Sequence, residues 1–463
     1  MLFNSLLFIF GFLPITYLVY WRLKTKNQRY LWLTIAGYVF YGTWNYKFCA
    51  LMAFSTAVSY FAGLGLLRWD DPHRRKLCLV LPITVDLTLL GFFKYVNFTL
   101  GTVSGISRWL GFPLHFPALG IILPVGISFY TFHTITYIVD SYRRTITPTK
   151  NFFEFSCYVS LFPQLVAGPI VRFRQVENDL EHLDSANRKG FLDIGWSFFA
   201  IGLMKKVLIA DTIATVINPA FLRYSELSSL GTWLVVLGYT YQLYFDFSGY
   251  SDMAVGLAYL FGIRLPQNFN SPYKAVDIAD FWRRWHISLS TCLRDYLYIP
   301  LGGSRSSKSW LTYRNLMITM LLGGLWHGAN WTFVFWGGYH GVLLSLNRTF
   351  AQQLDMVNAA VRRIVTFLLV MIGWVFFRSD NFSMAMTLLH KMFSIRSGIS
   401  IPGILGLVLS VILAASIAHF SPNTFEIQHD WNPVQVTAIT LAFVLCIMVV
   451  TVGQRSPFLY FQF

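Results

Sequence analysis

Apolar runs close to the width of a lipid bilayer recur along this chain, and they decide what it can fold into. The clearest are residues 6–21, 30–44, 51–67, 77–93 and 119–139. Residues 191–217, 230–261, 316–325, 331–346, 364–377, 401–420 and 434–452 follow. A helix of about 20 such residues spans the ~30 Å hydrocarbon core. Inside lipid every backbone N–H and C=O needs an internal partner, and helices supply it within one segment. Only 12% of the 463 residues are charged, about half the share in a soluble domain. The pattern predicts an all-α polytopic membrane protein with about 10 to 13 membrane helices, some short or re-entrant, because several runs exceed or fall short of one span.

Charge supports that reading and gives it a direction. The net charge of +15 sits in short loops between apolar runs, as at Arg22, Lys24, Lys26 and Arg29. Arg68 to Lys76 and then Arg143, Arg144 and Lys150 repeat the pattern two spans apart. Basic loops stay in the cytoplasm, so the first span is expected to begin outside. The same charge attracts anionic headgroups of membrane lipids, and no nucleic-acid partner is expected. Trp and Tyr (15 and 24 residues) suit the two interfaces. The N-terminal run lacks a basic n-region and a small-residue cleavage site, which predicts a retained first span. The five Cys show no metal or CxxC spacing and read as thiols without a disulfide framework. No fixed-period repeat, linker or soluble domain interrupts the chain, so residues 1–463 are expected to form one integral-membrane domain.

Two stretches depart from simple spans. Residues 281–303, FWRRWHISLSTCLRDYLYIPLGG, mix Arg283, Arg284, His286, Arg294 and Asp295 with bulky apolar residues. Residues 322–331, LGGLWHGANW, set His327 among three glycines, with Trp326 before it and Asn330 after it. Polar groups at membrane depth are tolerated where they line a wet cavity in protein. A histidine there either bridges two helices or handles a proton, and a neutral imidazole with pKa near ~6.5 can take one from a hydroxyl. His327 is the first candidate and His286 the second. His73, His115, His182 and His429 fall in loops, while His133, His340, His390 and His419 read as hydrogen-bonded packing groups. The spacing of His286 and His327 is not that of a metal site, and no hydrolase elbow, P-loop or dinucleotide fingerprint is present. Asp246 reads as a buried carboxylate paired with one of these arginines. The chain closes on SPFLYFQF, 456–463, whose single phenol, Tyr460, is either an interfacial anchor or a reactive group on an arm.

Five blocks then carry a resemblance: LPVGISFYTFHTITYIVDSYR (123–143), CYVSLFPQLVAGPIVRF (157–173), YFDFSGYSDMAVGL (244–257), residues 281–303 and LLGGLWHGANWTFVFWGGYHG (321–341). Together they resemble the membrane-bound O-acyltransferase superfamily, in particular the bacterial branch that acetylates exported polysaccharides such as alginate and cellulose. The resemblance implies helices around a central pore between cytoplasmic and outer funnels, in the bacterial cytoplasmic membrane. It places the family's histidine on His327 and its second polar position on His286. It implies acetyl-CoA as donor substrate, with no bound cofactor, and an extracytoplasmic transferase plus polymer-export machinery as partners. Arg283, Arg284 and Arg294 become candidates for the donor's phosphates, with Trp326 and Asn330 beside the base. A related system that transfers D-alanine to teichoic acid uses a partner with a similar Tyr-bearing tail. By that analogy Tyr460 accepts the acyl group, with residues 456–463 inserted in the pore. Two other readings stand beside this one: another cargo or acceptor (D-alanine, or a lipid or protein hydroxyl), and a transporter using the same basic cavity.

Overall fold

The computed structural model describes every residue except 167, 306–307, 454–457 and 460–463. Among the described residues the regular elements are helices, with one isolated bridge between Leu227 and Ile399. Four helices among the described residues are long and apolar enough to cross a membrane, in Lys47–Arg68, Pro72–Trp109, Ala359–Arg378 and Pro433–Val452, with shorter apolar ones at Leu7–Arg22 and Ile404–Phe420. The other expected spans are helical too, but they carry polar residues that pack inside the protein. The run at 119–139 is the exception. Its helix is only Ile127–Tyr142, because Pro113, Pro117 and Pro124 remove donors from the chain before it. In the other direction, the run at 77–93 continues through a π-turn at Gly91–Tyr95 to Trp109.

The chain divides into two compact units, residues 1–196 with 254–266, and 197–253 with 267–463. In the first unit the helix Lys26–Asn45 starts at a capping box. Thr25 accepts from the Gln28 N–H, and the Gln28 side chain accepts from Thr25. Such reciprocal capping satisfies two of the four donors a helix start leaves open. Asp86, within a span, accepts hydroxyls from Ser55 and Thr134 at 2.6 Å each. Asp179 clamps Arg264 by accepting from its backbone N–H at 2.8 Å and its Nε at 3.0 Å. His133 was expected to be hydrogen-bonded. It instead packs against Tyr158, and neither ring nitrogen meets a hydrogen-bond partner among the described residues. The neighbouring Thr136 hydroxyl turns back on the His133 carbonyl of its own helix.

The second unit holds both candidate histidines. Its last helix, Pro433–Val452, buries only Cys446 and exposes Val434, Leu441, Leu445 and Met448. In water such a surface would aggregate, and in lipid it is the ordinary outside of a span. Inside the unit, Lys205 pairs with Asp252 at 2.6 Å. Lys206 pairs with Asp246 at 2.5 Å and with Asp211 at 2.8 Å. The sequence reading gave Asp246 an arginine partner. The structure gives it a lysine, because residues 205–211 form a π-helical turn that aims both lysines at the helix Ser229–Leu260.

Candidate active site

A helical hairpin positions His327. The helix Ser309–His327 ends on it, and the helix Trp331–Thr349 runs back beside the first. The two backbones touch at a pair of glycines. A Cβ on Gly324 would lie 2.2 Å from the Phe333 carbonyl oxygen, and one on Gly337 would lie 2.2 Å from that of Met320. Any side chain there would force the helices apart. Asn330 closes the turn. Its Oδ1 accepts the Thr332 N–H at 3.1 Å, and its Nδ2 donates to the Asp380 carbonyl at 2.8 Å. That is a helix cap, so Asn330 has a structural task at the turn beside His327.

His327 is 4% exposed. Trp326 lies 5.0 Å away, Trp336 5.1 Å away edge-on, and Phe377 5.4 Å away, between ring centroids. Such a cage excludes water and fixes the ring. Beyond Trp336 the rings continue to His340, whose Nδ1 accepts from Trp282 Nε1 at 3.3 Å.

His286 sits at the break between the short helices Ile278–Arg284 and Ile287–Leu293, with φ +44° and ψ +55°. A left-handed conformation at a non-glycine residue is strained and clusters at functional positions. Asn268 holds it. The Asn268 Oδ1 accepts from the Ser288 N–H at 3.2 Å and the Ser288 hydroxyl at 2.8 Å, and it lies 3.1 Å from His286 Nδ1. An oxygen that collects donors requires a proton on Nδ1, so the Nε2 lone pair of His286 faces away from Asn268. The His286 and His327 rings are 6.4 Å apart. Asn268 escaped the sequence reading. It lies in the polar stretch 264–280, and nothing local links it to a histidine eighteen positions on.

A cavity of about 210 Å³ reaches His327, lined among others by Leu293, Arg294, Met320, Gly323 and Trp336. Arg294 is 58% exposed and pairs with Asp295 at 2.7 Å. The cavity therefore joins an accessible guanidinium to a buried imidazole through mainly apolar walls. Arg283 and Arg284 are not part of this lining. Both turn to Asp280, at 3.5 and 2.9 Å, because Asp280 lies one helical turn before them on the same short helix. Among the described residues no group of three or more His, Cys, Asp or Glu could hold a metal.

The end of the chain comes back to this unit. Phe458 stacks on Tyr250 at 4.6 Å and meets Phe247 at 5.8 Å, and Phe247 stands edge-on to His286 at 4.7 Å. The backbone N–H of Leu459 donates to Asp246 at 3.0 Å. Tyr460 lies outside the described residues.

The family model of the membrane-bound O-acyltransferases (MBOAT) matches residues 139–388, which include both histidines and the glycine-paired hairpin. The chain belongs to the membrane-bound O-acyltransferase family. This MBOAT protein is 39% identical to a probable alginate O-acetylase AlgI of Azotobacter vinelandii, with all of both chains covered. It is 45% identical to a probable alginate O-acetylase AlgI of Pseudomonas aeruginosa, covering 85% of this chain and 75% of that one. It is 36% identical to a peptidoglycan O-acetyltransferase of Helicobacter pylori, covering 100% and 98%. As an MBOAT protein it is an acyltransferase and a multi-pass membrane protein.

Proposed function

We propose that this MBOAT protein moves an acetyl group from cytoplasmic acetyl-CoA to the outer side of the membrane, where an extracytoplasmic transferase places it on a polysaccharide hydroxyl. The cavity that joins exposed Arg294 to buried His327 carries this reading. Its apolar walls suit a thin uncharged arm, and a guanidinium at an accessible end suits the phosphates of the donor. The phosphates stay in water while the thioester enters. Carrying the whole donor through lipid would bury several charges, whereas a two-carbon acyl group carries none. Relatives named as alginate O-acetylases and as a peptidoglycan O-acetyltransferase support a polysaccharide as the final acceptor.

In this reading Tyr460 is the first acceptor. His327 takes the phenol proton as the phenolate oxygen attacks the thioester carbonyl. The C–O bond forms, the C–S bond breaks, and the imidazolium returns the proton to the leaving thiolate. A phenol has a pKa near ~10, so its ester stays activated and keeps transfer potential for the next hop. Burial of Phe458 and Leu459 beside Phe247 supports a tail that reaches the histidines. His286, its Nδ1 proton held by Asn268, supplies a second basic nitrogen next to the first.

The test is acetylation of the C-terminal peptide. After incubation with labelled acetyl-CoA, wild-type protein carries one acetyl group on that peptide. His327→Ala and Tyr460→Phe carry none, and neither acetylates polymer. Normal polymer acetylation by His327→Ala would refute the base, and normal acetylation by Tyr460→Phe would refute the carrier.

A further inference from the structure

We infer that Asp246 is a positioning residue that seats the chain's own C-terminal segment, with Lys206 holding its carboxylate in place. This rests on the tyrosine relay proposed above and adds what aims the tail.

Asp246 lies near the middle of the long helix Ser229–Leu260. One of its oxygens faces Lys206 Nζ at 2.5 Å. The other accepts the Leu459 N–H at 3.0 Å. Lys206 is 3% exposed and is also held by Asp211, so the carboxylate has little freedom to turn. A hydrogen bond to an ionised acceptor is shorter and stronger than one between neutral groups. One position and four positions further along the same helix, Phe247 and Tyr250 present rings that take Phe458. The helix thus offers a carboxylate and two rings on neighbouring positions, and two successive tail residues fill them. Phe247 has His286 against it, so the same ring touches both the seat and the site.

The cost of this arrangement points to a role. A buried Lys–Asp pair gains little stability over apolar packing. Ordering a chain end costs conformational entropy that a frayed tail would avoid. The carboxylate accepts from the backbone of the segment, so it reads the segment's register. A one-residue slip would bring a different N–H to the carboxylate and take Phe458 off the Phe247 and Tyr250 rings.

Leu459→Pro removes the one donor while leaving Tyr460 unchanged. Its place near the chain end keeps the folding of the helices out of the question. Leu459→Ala keeps the donor and serves as its control, and Asp246→Asn removes the charge at the acceptor. Full-length proteins in detergent are compared by release of C-terminal residues by a carboxypeptidase, by acetyl on the C-terminal peptide, and by kcat and KM for acetyl-CoA. Leu459→Pro and Asp246→Asn are expected to release the tail ~10-fold faster and to lose ~100-fold in kcat. KM is expected to stay within about threefold, because the donor cavity is untouched. Leu459→Ala falls between wild type and Leu459→Pro. Unchanged tail protection in Leu459→Pro overturns the seat. Faster release with wild-type kcat overturns the positioning role. Losses as expected, with no acetyl ever found on the wild-type C-terminal peptide, leave the seat standing and overturn the relay.

Discussion

Gly337→Ala tests whether the hairpin backbone sets the place of His327. The new Cβ would lie 2.2 Å from the Met320 carbonyl oxygen and 3.2 Å from Gly324 Cα. Ordinary contact begins at 3.4 Å, so the shortfall is 3.4 − 2.2 = 1.2 Å. The obstacle is backbone, and no rotamer change relieves it. The helices must separate or slide by about that distance. Overpacking of this kind costs about 1–3 kcal/mol, and the gain in helix propensity from Gly to Ala offsets up to ~1 kcal/mol. Net stability therefore changes modestly. The catalytic effect is larger, because a ~1 Å misplacement of a reacting group costs ~100-fold in rate. Gly338→Ala is the matched control. Its Cβ would meet only the Leu321 side chain at 3.4 Å, an ordinary contact. The assay is acetyl transfer by purified protein, run beside a thermal melt. Gly337→Ala should melt within a few degrees of wild type with kcat reduced ~100-fold. Gly338→Ala should match wild type in both. Gly337→Ala with kcat within threefold of wild type would refute the reasoning.

Three further perturbations probe the cavity and its histidines. Arg294→Ala should raise KM for acetyl-CoA ~10-fold with kcat nearly unchanged, and added salt should shrink the difference. Arg283→Ala, which breaks only a contact to Asp280, should leave KM alone; equal effects of the two would remove Arg294 from the donor site. Asn268→Ala removes an acceptor shared by the His286 ring and two Ser288 donors, so kcat should fall ~10–100-fold with KM little changed. Leu293→Trp should obstruct a cavity of about 210 Å³ and abolish donor binding, read as loss of acetyl-CoA-dependent thermal stabilisation.

Much of the fold was legible because lipid leaves the chain few choices. Apolar runs had to be helices except where prolines stopped them, as before Ile127, and the breaks at 281–303 and 322–331 could be seen from polar residues that no simple span would carry. His327 stood out for the same reason, and so did His286. The pairings were not legible. Arg283, Arg284 and Arg294 are alike as sequence, yet Asp280 one turn away takes the first two and leaves the third at the cavity. Asp246 was recognised as buried, but its partner Lys206 sits forty positions earlier, in an apolar run that gave no sign of facing it. Asn330 looked like a polar neighbour of the base and proved to be a helix cap. Asn268 was invisible because a side chain that orients another acts across space, and spacing along the chain records nothing of it.

The two histidines sit where the backbone stops being regular. His327 is the last residue of its helix, and His286 is left-handed between two short ones. In a membrane those are the costly places. A helix end leaves up to four carbonyls or N–H groups without intrahelical partners, and lipid cannot satisfy them. The chain accepts the cost here and covers it with Asn330 and Asn268, whose side-chain oxygens accept backbone N–H groups at the breaks. Irregular backbone at membrane depth is tolerated where it is buried in protein or lines a cavity, and the cavity that reaches His327 lies beside one of these breaks. The irregular segments, the glycine contact that brings them together and the caps that satisfy them are therefore parts of one requirement. In the proposed reaction a buried base must be reachable by an acyl group while water and ions are kept out.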